Sequence, residues 1–314
     1  MTPQELTPAT EPTFYFIGVT TGQSSIMKVF PAWAEHLGIS RCIKGIDCKW
    51  HDAPQVYRKV VEFLKHDELS LGGLVTTHKL DLLKAAKDLF DELGPYTRQL
   101  EETSCISKRD GRLRAHAKDP ITAGLSYEAI TPGEYWRNGA ELCLLGAGGS
   151  SLALTVYLMK QPDGLRPSKI FVTNRSAKRI AEMKAVHEKI GFQIPIKYFG
   201  ESSTGNNDEV VSRLKPGSMV INATGLGKDA PGSPISDAAE FPQGGIAWDF
   251  NYRGDLVFLD QAHAQEEAKN LRVEDGWVYF IHGWTRVIAE VFDIDIPTSG
   301  PEFDKLCEIA ANVR

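Results

Sequence analysis

The chain has 314 residues, of which 42% are hydrophobic and 24% are charged, and its formal net charge is -6. This composition is typical of a globular protein with a sizeable core, and the length suffices for two domains of common size. The acidic balance and the lack of a basic stripe argue against binding to nucleic acid or to an anionic membrane.

The N-terminal stretch MTPQELTPATEPTF lacks the basic and apolar regions of a secretory signal peptide. No apolar run approaches the length of about 18 residues that a membrane-spanning helix needs. We therefore expect a cytoplasmic protein. The odd number and wide scatter of the five cysteines argue against a disulfide framework, and since neither a CxxC pair nor an HExxH motif occurs, the sequence does not predict a metal site.

The first third of the chain alternates between stretches typical of strands and of helices. The predicted strands are TFYFIGVT, RCIKGIDC and LGGLVTT, and the predicted helices are SIMKVFPAWAEHLGI, APQVYRKVVEFLKHDEL and HKLDLLKAAKDLFDEL. SCISKRDGRLRAHAKD then predicts a β-hairpin that turns at Asp110–Gly111. This alternation indicates an α/β domain rather than a helical bundle.

A second alternation begins at Glu141 and predicts the order β-α-β-α-β-α-β-β, which fits a doubly wound Rossmann domain. We place the domain boundary in the segment just before it, which contains Gly and Pro. The predicted division is residues 1–127 and residues 128–285. The last segment, 286–314, is expected to return as a C-terminal helix that packs on the first domain.

A glycine-rich turn opens the second domain. In LCLLGAGGSS the turn follows four apolar residues, and a helix-like stretch comes directly after it. Glycines let the backbone turn tightly and approach a pyrophosphate, which the free N–H groups of a helix N-terminus then bind. The small residue Ser151 takes the third glycine position. The predicted cofactor-binding residues here are Gly146, Ala147, Gly148, Gly149 and Ser150. A plain structural turn is the alternative.

The next predicted strand ends in FVTNRSAKR, which offers no carboxylate to hold the ribose 2′-OH of NAD. Instead, Asn174, Arg175, Ser176 and Arg179 could bind a 2′-phosphate, so we expect NADP, with NAD as the less favoured cofactor. Lys178 and Arg179 could equally be ordinary residues of a solvated helix start.

The order of these pieces resembles the shikimate dehydrogenase family, which includes quinate dehydrogenases, from about residue 14 to about residue 297. LLGAGGSS is similar to that family's glycine loop, and TNRSAKR to its NADP-selecting segment. VINATGLG resembles its nicotinamide-side motif, which implies cofactor contacts for Asn222, Ala223 and Thr224. WDFNYRGDLVFL resembles its Asp-x-x-Tyr strand and places Tyr252 at the substrate-facing tyrosine.

The resemblance also implies a catalytic pair. GGLVTTHK aligns with the family's Asn-Val-Thr-x-Pro-x-Lys, so Lys79 falls on the catalytic lysine, and HAKDPITAG aligns with Asn-Thr-Asp-Gly, so Asp119 falls on the catalytic aspartate. Oxidation of an alcohol by hydride transfer requires loss of the hydroxyl proton, which a suitably buried lysine can accept near neutral pH. The alternative is that Lys79 merely opens a helix and Asp119 merely caps one.

The substrate anchors depart from the family pattern. Ser24 fits the first serine of Ser-x-Ser-Pro, but Ile26 stands at the second; Gly73 and Val75 replace Asn and Thr before the lysine. Ala117 and Lys118 replace Asn-Thr before the aspartate. The substrate-binding candidates are therefore Ser24, Thr76, Thr77, Ser104, Tyr252 and His282. Whether Lys118, His78, His116 or His282 contacts substrate stays open.

Together these features predict an N-terminal α/β substrate domain and a Rossmann NADP-binding domain, with the reaction in the crevice between them. We expect an NADP-dependent oxidoreductase that acts on a cyclic or small hydroxy or keto acid, shikimate- or quinate-like. A non-catalytic NADP(H)- and metabolite-sensing protein, or an authentic shikimate dehydrogenase with unusual contacts, is the alternative. The expected partner is a small molecule; the substrate's identity, the direction of reaction and a homodimer stay open.

Overall fold

A computed structural model describes residues 1–131 and 133–313. It divides into two compact units: Met1–Lys118 together with the chain from Ile281 onward, and Asp119–Phe280. The limits predicted from sequence lie a few residues further along the chain at both points and remain predictions. Arg314, the last residue of the predicted C-terminal helix, lies outside the described residues.

The first unit is built on a mixed six-stranded sheet with the order β2-β1-β3-β5-β6-β4. Its elements up to residue 118 are β1 (Thr13–Gly18), α1 (Ile26–Leu37), β2 (Cys42–Asp47), α2 (Pro54–His66), β3 (Ser70–Val75), α3 (Lys79–Ala86), β4 (Glu92–Leu93), α4 (Pro95–Leu100), β5 (Cys105–Arg109) and β6 (Arg112–His116). Strands β2, β1 and β3 run parallel, whereas β5 and β6 form an antiparallel hairpin. The predicted hairpin is confirmed, and Asp110 and Gly111 both have the positive φ that a tight two-residue turn requires.

One predicted helix of this unit is too long. The stretch HKLDLLKAAKDLFDEL is helical only over α3, after which a 3₁₀ turn covers Lys87–Leu89. Glu92 and Leu93 form β4 and pair with Arg114 and Ala115 of β6. Helical spacing of the apolar residues continues through this segment, but the edge of the sheet supplies backbone hydrogen bonds that end the helix.

The second unit contains a parallel six-stranded sheet with the order β12-β11-β10-β7-β8-β9. Its elements are α5 (Asp119–Ile130), β7 (Leu142–Leu145), α6 (Gly149–Leu158), β8 (Ile170–Asn174), α7 (Ala177–Lys189), β9 (Ile196–Gly200), α8 (Thr204–Ser212), β10 (Met219–Asn222), β11 (Ile246–Asp249), α9 (Val257–His263), α10 (Glu266–Lys269) and β12 (Arg272–Glu274). This is the Rossmann order, and the predicted β-α alternation is confirmed as far as β11. Helices α9 and α10 and strand β12 were not predicted from the sequence.

The end of the chain forms two helices, α11 (Trp277–Phe292) and α12 (Pro301–Val313), so the single helix predicted over 286–314 is wrong. Gly300 has a positive φ of 84°, and Pro301, which suits a first helical turn, starts a new helix after it. Helix α12 belongs to the first unit and packs against α1, where the indole N–H of Trp33 donates to the carbonyl of Leu306 at 2.8 Å.

The switch point of the second sheet positions the candidate site. Strands β7 and β10 lie side by side and end together at Leu145 and Asn222. The chain leaves β7 toward β8 on one side, while β10 leads to β11 on the other. Loops that leave such strands diverge, and ligands bind in the crevice that opens beyond the carboxyl ends. No helix among residues 1–131 and 133–313 is long and apolar enough to cross a membrane.

Candidate functional site

The glycine loop turns sharply at the end of β7. Gly146 has a φ of 120°, and a methyl group built on it would lie 2.7 Å from the carbonyl oxygen of Ala223. Gly148 and Gly149 differ, because a methyl group on either would meet nothing within 4 Å. Ser151 is fully buried and its hydroxyl donates to the Gly146 carbonyl at 2.7 Å. The loop is therefore held tightly at its start and open where a ligand can approach.

Three helices begin near this crevice, and they differ in how their N-termini are satisfied. Helix α7 is capped by the Ser176 hydroxyl, and α8 by a capping box between Ser203 and Asn206. Helix α6 has no side-chain cap at Gly148. Its free N–H groups and the positive end of its dipole therefore suit an anion such as a pyrophosphate.

The cationic turn after β8 lies next to the glycine loop. The side-chain carbonyl of Asn174 accepts from the N–H of Ala147 at 3.4 Å, and its amide donates to the carbonyl of Ser176 at 3.2 Å. Arg175 is exposed, and Arg179 is paired with Glu182 at 3.0 Å with more than half of its side chain exposed. Asn174 thus ties the two segments together, and the guanidinium groups of Arg175 and Arg179 are exposed to an approaching anion, although Arg179 is shared with Glu182.

A cavity of about 270 Å³ lies at this carboxyl edge of the sheet. Of the predicted cofactor-binding residues, it is lined by Gly146, Ala147, Gly148, Asn174, Arg175, Arg179, Ala223 and Thr224. The cavity wall does not include Gly149, Ser150, Ser176 or Asn222. Residues that the sequence analysis missed complete it: Leu145, Thr173, Ser202, Ser203, Thr204, Asn207, Gly225, Leu226, Ser233 and Pro234. The hydroxyl residues Ser202, Ser203 and Thr204 directly after β9 could have predicted this part of the wall, because the carboxyl ends of parallel strands lie at the same edge of a sheet.

Asn222 organises the loop after β10. It is fully buried, and its side-chain oxygen accepts from the N–H and hydroxyl of Thr224 at 3.0 and 2.6 Å. Its amide donates to the carboxylate of Asp249 at 2.9 Å. Burial raises the pKa of Asp249 to about 6, although hydrogen bonds from Asn251 and Asn222 oppose the shift. Asn222 therefore shapes the cavity through Thr224.

In the first unit, Lys79 is the first residue of α3 and is half-buried. Its carbonyl accepts from the N–H of Thr103 at 3.2 Å, and the Thr103 hydroxyl donates to the carbonyl of His116 at 3.3 Å. Thr77, two residues before the lysine, has a φ of 61°. This conformation is costly for a β-branched residue, and such strain is concentrated at functional sites.

His78 is buried in the first unit, where it contacts two other buried groups. It is 1% exposed, its Nδ1 lies 3.1 Å from the Tyr57 hydroxyl, and its Nε2 lies 3.2 Å from the carbonyl of Gly18. Burial lowers its pKa below the ordinary value for histidine. A neutral histidine between these two groups holds β1 and α2 against the start of α3.

The carboxylate of Glu290, which was not predicted as a site residue, contacts two of the residues whose role the sequence left open, His116 and Lys118. Glu290 of α11 accepts from the Lys118 ammonium at 2.8 Å, and His116 lies 3.2 Å from it. The Ser107 hydroxyl also donates to Glu290, at 3.3 Å. The hydrogen bonds from His116 and Lys118 hold the pKa of Glu290 far below its ordinary value. Lys118 is thus engaged within its own unit.

The remaining predicted residues are spread over the two units. Asp119 is the first residue of α5 in the second unit, so its predicted pairing with Lys79 stays a prediction. Ser24 is half-buried at the end of a 3₁₀ turn, and the buried hydroxyl of Ser104 accepts from the N–H of Lys118 at 2.8 Å. Thr76 is half-buried directly after β3.

Tyr252 and His282 have contrasting surroundings. Tyr252 is half-buried and lies 5.4 and 4.7 Å from the rings of Trp277 and Phe280, measured between centroids. His282 is 1% exposed and stacks on Phe303 with centroids 4.4 Å apart. Burial, aided by the charge of Arg286, lowers the pKa of His282 to about 4. His282 is therefore neutral at physiological pH.

Four of the five replaced anchor positions, all except Lys118, are part of the core. Ile26 and Val75 are fully buried, and Ala117 is 3% exposed. A methyl group on Gly73 would lie 2.6 Å from the carbonyl oxygen of Tyr15. These positions are filled by close packing and offer no polar group to a substrate.

The fold and the cavity define a two-unit α/β protein whose second sheet has the Rossmann order. No protein-family model matches the chain. It is 23% identical over 177 residues to the shikimate dehydrogenase (NADP(+)) of Streptococcus pneumoniae, which covers 56% of this chain and 58% of that relative. It is 25% identical over 234 residues to the shikimate dehydrogenase (NADP(+)) of Streptococcus thermophilus, and this match covers 73% of this chain and 75% of that relative. The chain thus spans 58% of the length of the first curated relatives that it matches.

Solved structures agree on the fold. Shikimate dehydrogenase from Aquifex aeolicus has a TM-score of 0.72 at 17% identity, with 98% of this chain and 99% of that chain covered. Quinate dehydrogenase from Corynebacterium glutamicum has a TM-score of 0.73 at 16% identity, with 96% and 99% covered. The 5-ketofructose reductase of Gluconobacter sp. has a TM-score of 0.68 at 16% identity, with 97% and 99% covered. The chain is thus similar in sequence to shikimate dehydrogenases and in fold to shikimate and quinate dehydrogenases, as the resemblance predicted.

Proposed function

We propose that this protein is an NADP-dependent oxidoreductase acting on the CH–OH group of a small hydroxy acid, or on the corresponding keto acid. One observation carries the proposal: the glycine loop and the Asn174–Arg175–Arg179 turn line a single cavity at the switch point of a Rossmann sheet. The residues fit the dinucleotide, since the open backbone of Gly148 would hold the pyrophosphate and the two arginines the 2′-phosphate. When bound, the nicotinamide supplies or accepts a hydride.

The chain's own contribution to the reaction is the control of a proton. Lys79 takes the proton from the substrate hydroxyl, or returns it to the carbonyl oxygen in the opposite direction. Asp119 orients the lysine amine and the hydroxyl. The strained backbone of Thr77 supports this role for Lys79, because it places the start of α3 in a conformation that packing must enforce.

The proton relay is tested by replacing Lys79. We expect Lys79→Ala to lower kcat by at least about 100-fold, the contribution typical of a general acid–base group. The Kd for NADPH should stay within a few-fold, because Lys79 and the cofactor cavity belong to different units. Steady-state kinetics and fluorescence titration measure the two quantities. Lys84→Ala, an exposed lysine on the same helix, is the control, and a fully active Lys79→Ala protein would remove the mechanism.

The substrate class is proposed as shikimate- or quinate-like, after the names of the relatives and neighbours. The closely packed anchor positions weaken specificity for that ring, since a site that lacks hydrogen-bonding groups loses discrimination steeply. A neighbour named 5-ketofructose reductase extends the range to keto sugars. NADPH absorbance should be followed with shikimate, quinate, their keto forms and 5-ketofructose. High efficiency with shikimate would identify an authentic shikimate dehydrogenase.

The packed anchor positions also favour a second candidate, a protein that senses NADP(H) and a metabolite without turnover. The lysine and aspartate at the expected positions count against it, because a sensor needs no proton relay. The same panel separates the two. If no compound changes NADPH absorbance while one of them raises the melting temperature of the NADPH-bound protein, the sensor is correct.

A further inference from the structure

The cofactor cavity contains an amide whose orientation is determined and whose oxygen has no partner. Asn207, in the first turn and a half of α8, is 6% exposed and lines the cavity. Its Nδ2 donates to the carbonyl of Pro234 at 2.7 Å. Its Oδ1 is buried and makes no hydrogen bond with any described residue. Because only the NH₂ end of the amide can face a carbonyl, Oδ1 is the acceptor on the other side.

A buried acceptor without a donor is costly, and such groups in native proteins are usually completed by water or by a ligand. Two hydroxyls of the same cavity wall, those of Thr173 and Ser202, also lack partners among the residues that the structure describes. A hydroxyl can donate or accept and therefore does not select a ligand group. The Oδ1 atom of Asn207 does select, because an amide oxygen can only accept and therefore requires a ligand group that donates.

The surroundings of Asn207 suit a flat base rather than a phosphate. A phosphate oxygen offers an acceptor to an acceptor, and the N-terminus of α8 is already satisfied by its own capping box. Leu226 and Pro234 supply apolar surface in the same cavity. The N–H of Ser202 donates to the carbonyl of Asn174 at 3.1 Å, which places the segment leading to Asn207 beside the end of β8.

We propose that Asn207 recognises the adenine ring of the dinucleotide by accepting a hydrogen bond from its exocyclic amine, and so selects the base. This inference rests on the proposed use of NADP. It assigns a specificity role to a residue outside the glycine loop and the cationic turn.

The test compares NADPH with reduced nicotinamide hypoxanthine dinucleotide phosphate, in which a carbonyl oxygen replaces the amine. Fluorescence titration of the intact protein without substrate should give a Kd about tenfold lower for NADPH, the value of one hydrogen bond to a buried acceptor. In Asn207→Leu the Kd for NADPH should rise about tenfold and that for the analogue should barely change. Glu209→Leu, an exposed position of the same helix that neither caps it nor lines the cavity, should keep the wild-type preference.

The comparison of the two dinucleotides in the wild-type protein needs no substitution, so it holds even if Asn207→Leu fails to fold. Tight and equal binding of both would overturn the role of Asn207 and leave the proposed function intact; this is also the result expected if Oδ1 accepts from a ribose hydroxyl. The proposed role of Asn207 would also be overturned if a folded Asn207→Leu protein still bound NADPH about tenfold more tightly than the analogue. Failure of NADPH itself to bind would overturn the proposed function together with this inference.

Discussion

A buried histidine in the second unit shows how a single residue links structure to pH. His187 of α7 is 3% exposed, its Nε2 lies 2.7 Å from the Thr155 hydroxyl, and its Nδ1 lies 2.6 Å from the Tyr198 hydroxyl. Burial lowers its pKa from 6.5 to about 4. Between these two pH values His187 is therefore protonated in the unfolded chain but neutral in the folded protein.

Acidification should destabilise the protein through this residue. Because the folded pKa is the lower one, stability rises with pH through the window from about 4 to about 6.5 and is lost as the pH falls through it. From pH 8 to pH 5 the contribution of His187 to this loss should be about 2 kcal/mol of unfolding free energy. In His187→Gln we expect a shallower pH dependence in urea unfolding, although the neutral-pH stability is lower. His66→Gln, at an exposed position, should leave the slope unchanged, and an unchanged slope in His187→Gln would contradict the assignment.

Single residues also mark a limit of sequence reasoning. Lys118 stands beside Asp119 in the sequence, so a pairing of these neighbours, or a contact with a substrate carboxylate, was a reasonable hypothesis. The structure pairs Lys118 with Glu290, which is 172 positions away. The chain alone carries no signal for that partner, because the contact depends on where α11 packs.

At the level of elements, the structural role of the glycine loop can be separated from its proposed role in cofactor binding. We expect Gly146→Ala to reduce the free energy of unfolding by about 1–3 kcal/mol, because the φ of 120° and the nearby Ala223 carbonyl both oppose a methyl group. Gly148→Ala should unfold like the wild type, within about 0.5 kcal/mol, since its φ of -85° suits alanine and its surroundings are open.

The same pair should behave differently toward the cofactor. The methyl group of Gly148→Ala would occupy the space that a pyrophosphate needs, so its Kd for NADPH should rise about tenfold or more. Urea unfolding and fluorescence titration of both variants test the distinction. A Gly148→Ala protein that binds NADPH as tightly as the wild type would place the phosphates elsewhere.

At the scale of the whole molecule, the proposed cofactor should stabilise the folded protein by mass action. NADPH at about 100 times its Kd adds about 2.7 kcal/mol to the free energy of unfolding, and NADH at the same concentration should add less because it lacks the 2′-phosphate. Arg175→Ala should reduce the difference between the stabilisation by NADPH and the stabilisation by NADH. Lys178→Ala is the matched control, because this exposed cation of the same turn does not line the cavity. Equal thermal shifts with NADPH and NADH in the wild type would contradict the preference for NADP.

The sequence by itself determined the features that depend on neighbours along the chain. The β-α alternation, the hairpin at Asp110–Gly111 and the glycine loop are local patterns, because turns, helix starts and strand ends are set by adjacent residues. The order of the parallel strands follows from that alternation once each crossover takes its usual hand.

Only the tertiary structure decided where distant residues meet. The Glu290 cluster, the wall of the cofactor cavity beyond β9 and the orientation of Asn207 by Pro234 all join segments that are far apart in the sequence. The sheet edge likewise ended a helix that the apolar spacing extended to residue 93. Such contacts form because folding packs complementary surfaces and satisfies buried polar groups, and both depend on the assembled layers rather than on any one segment.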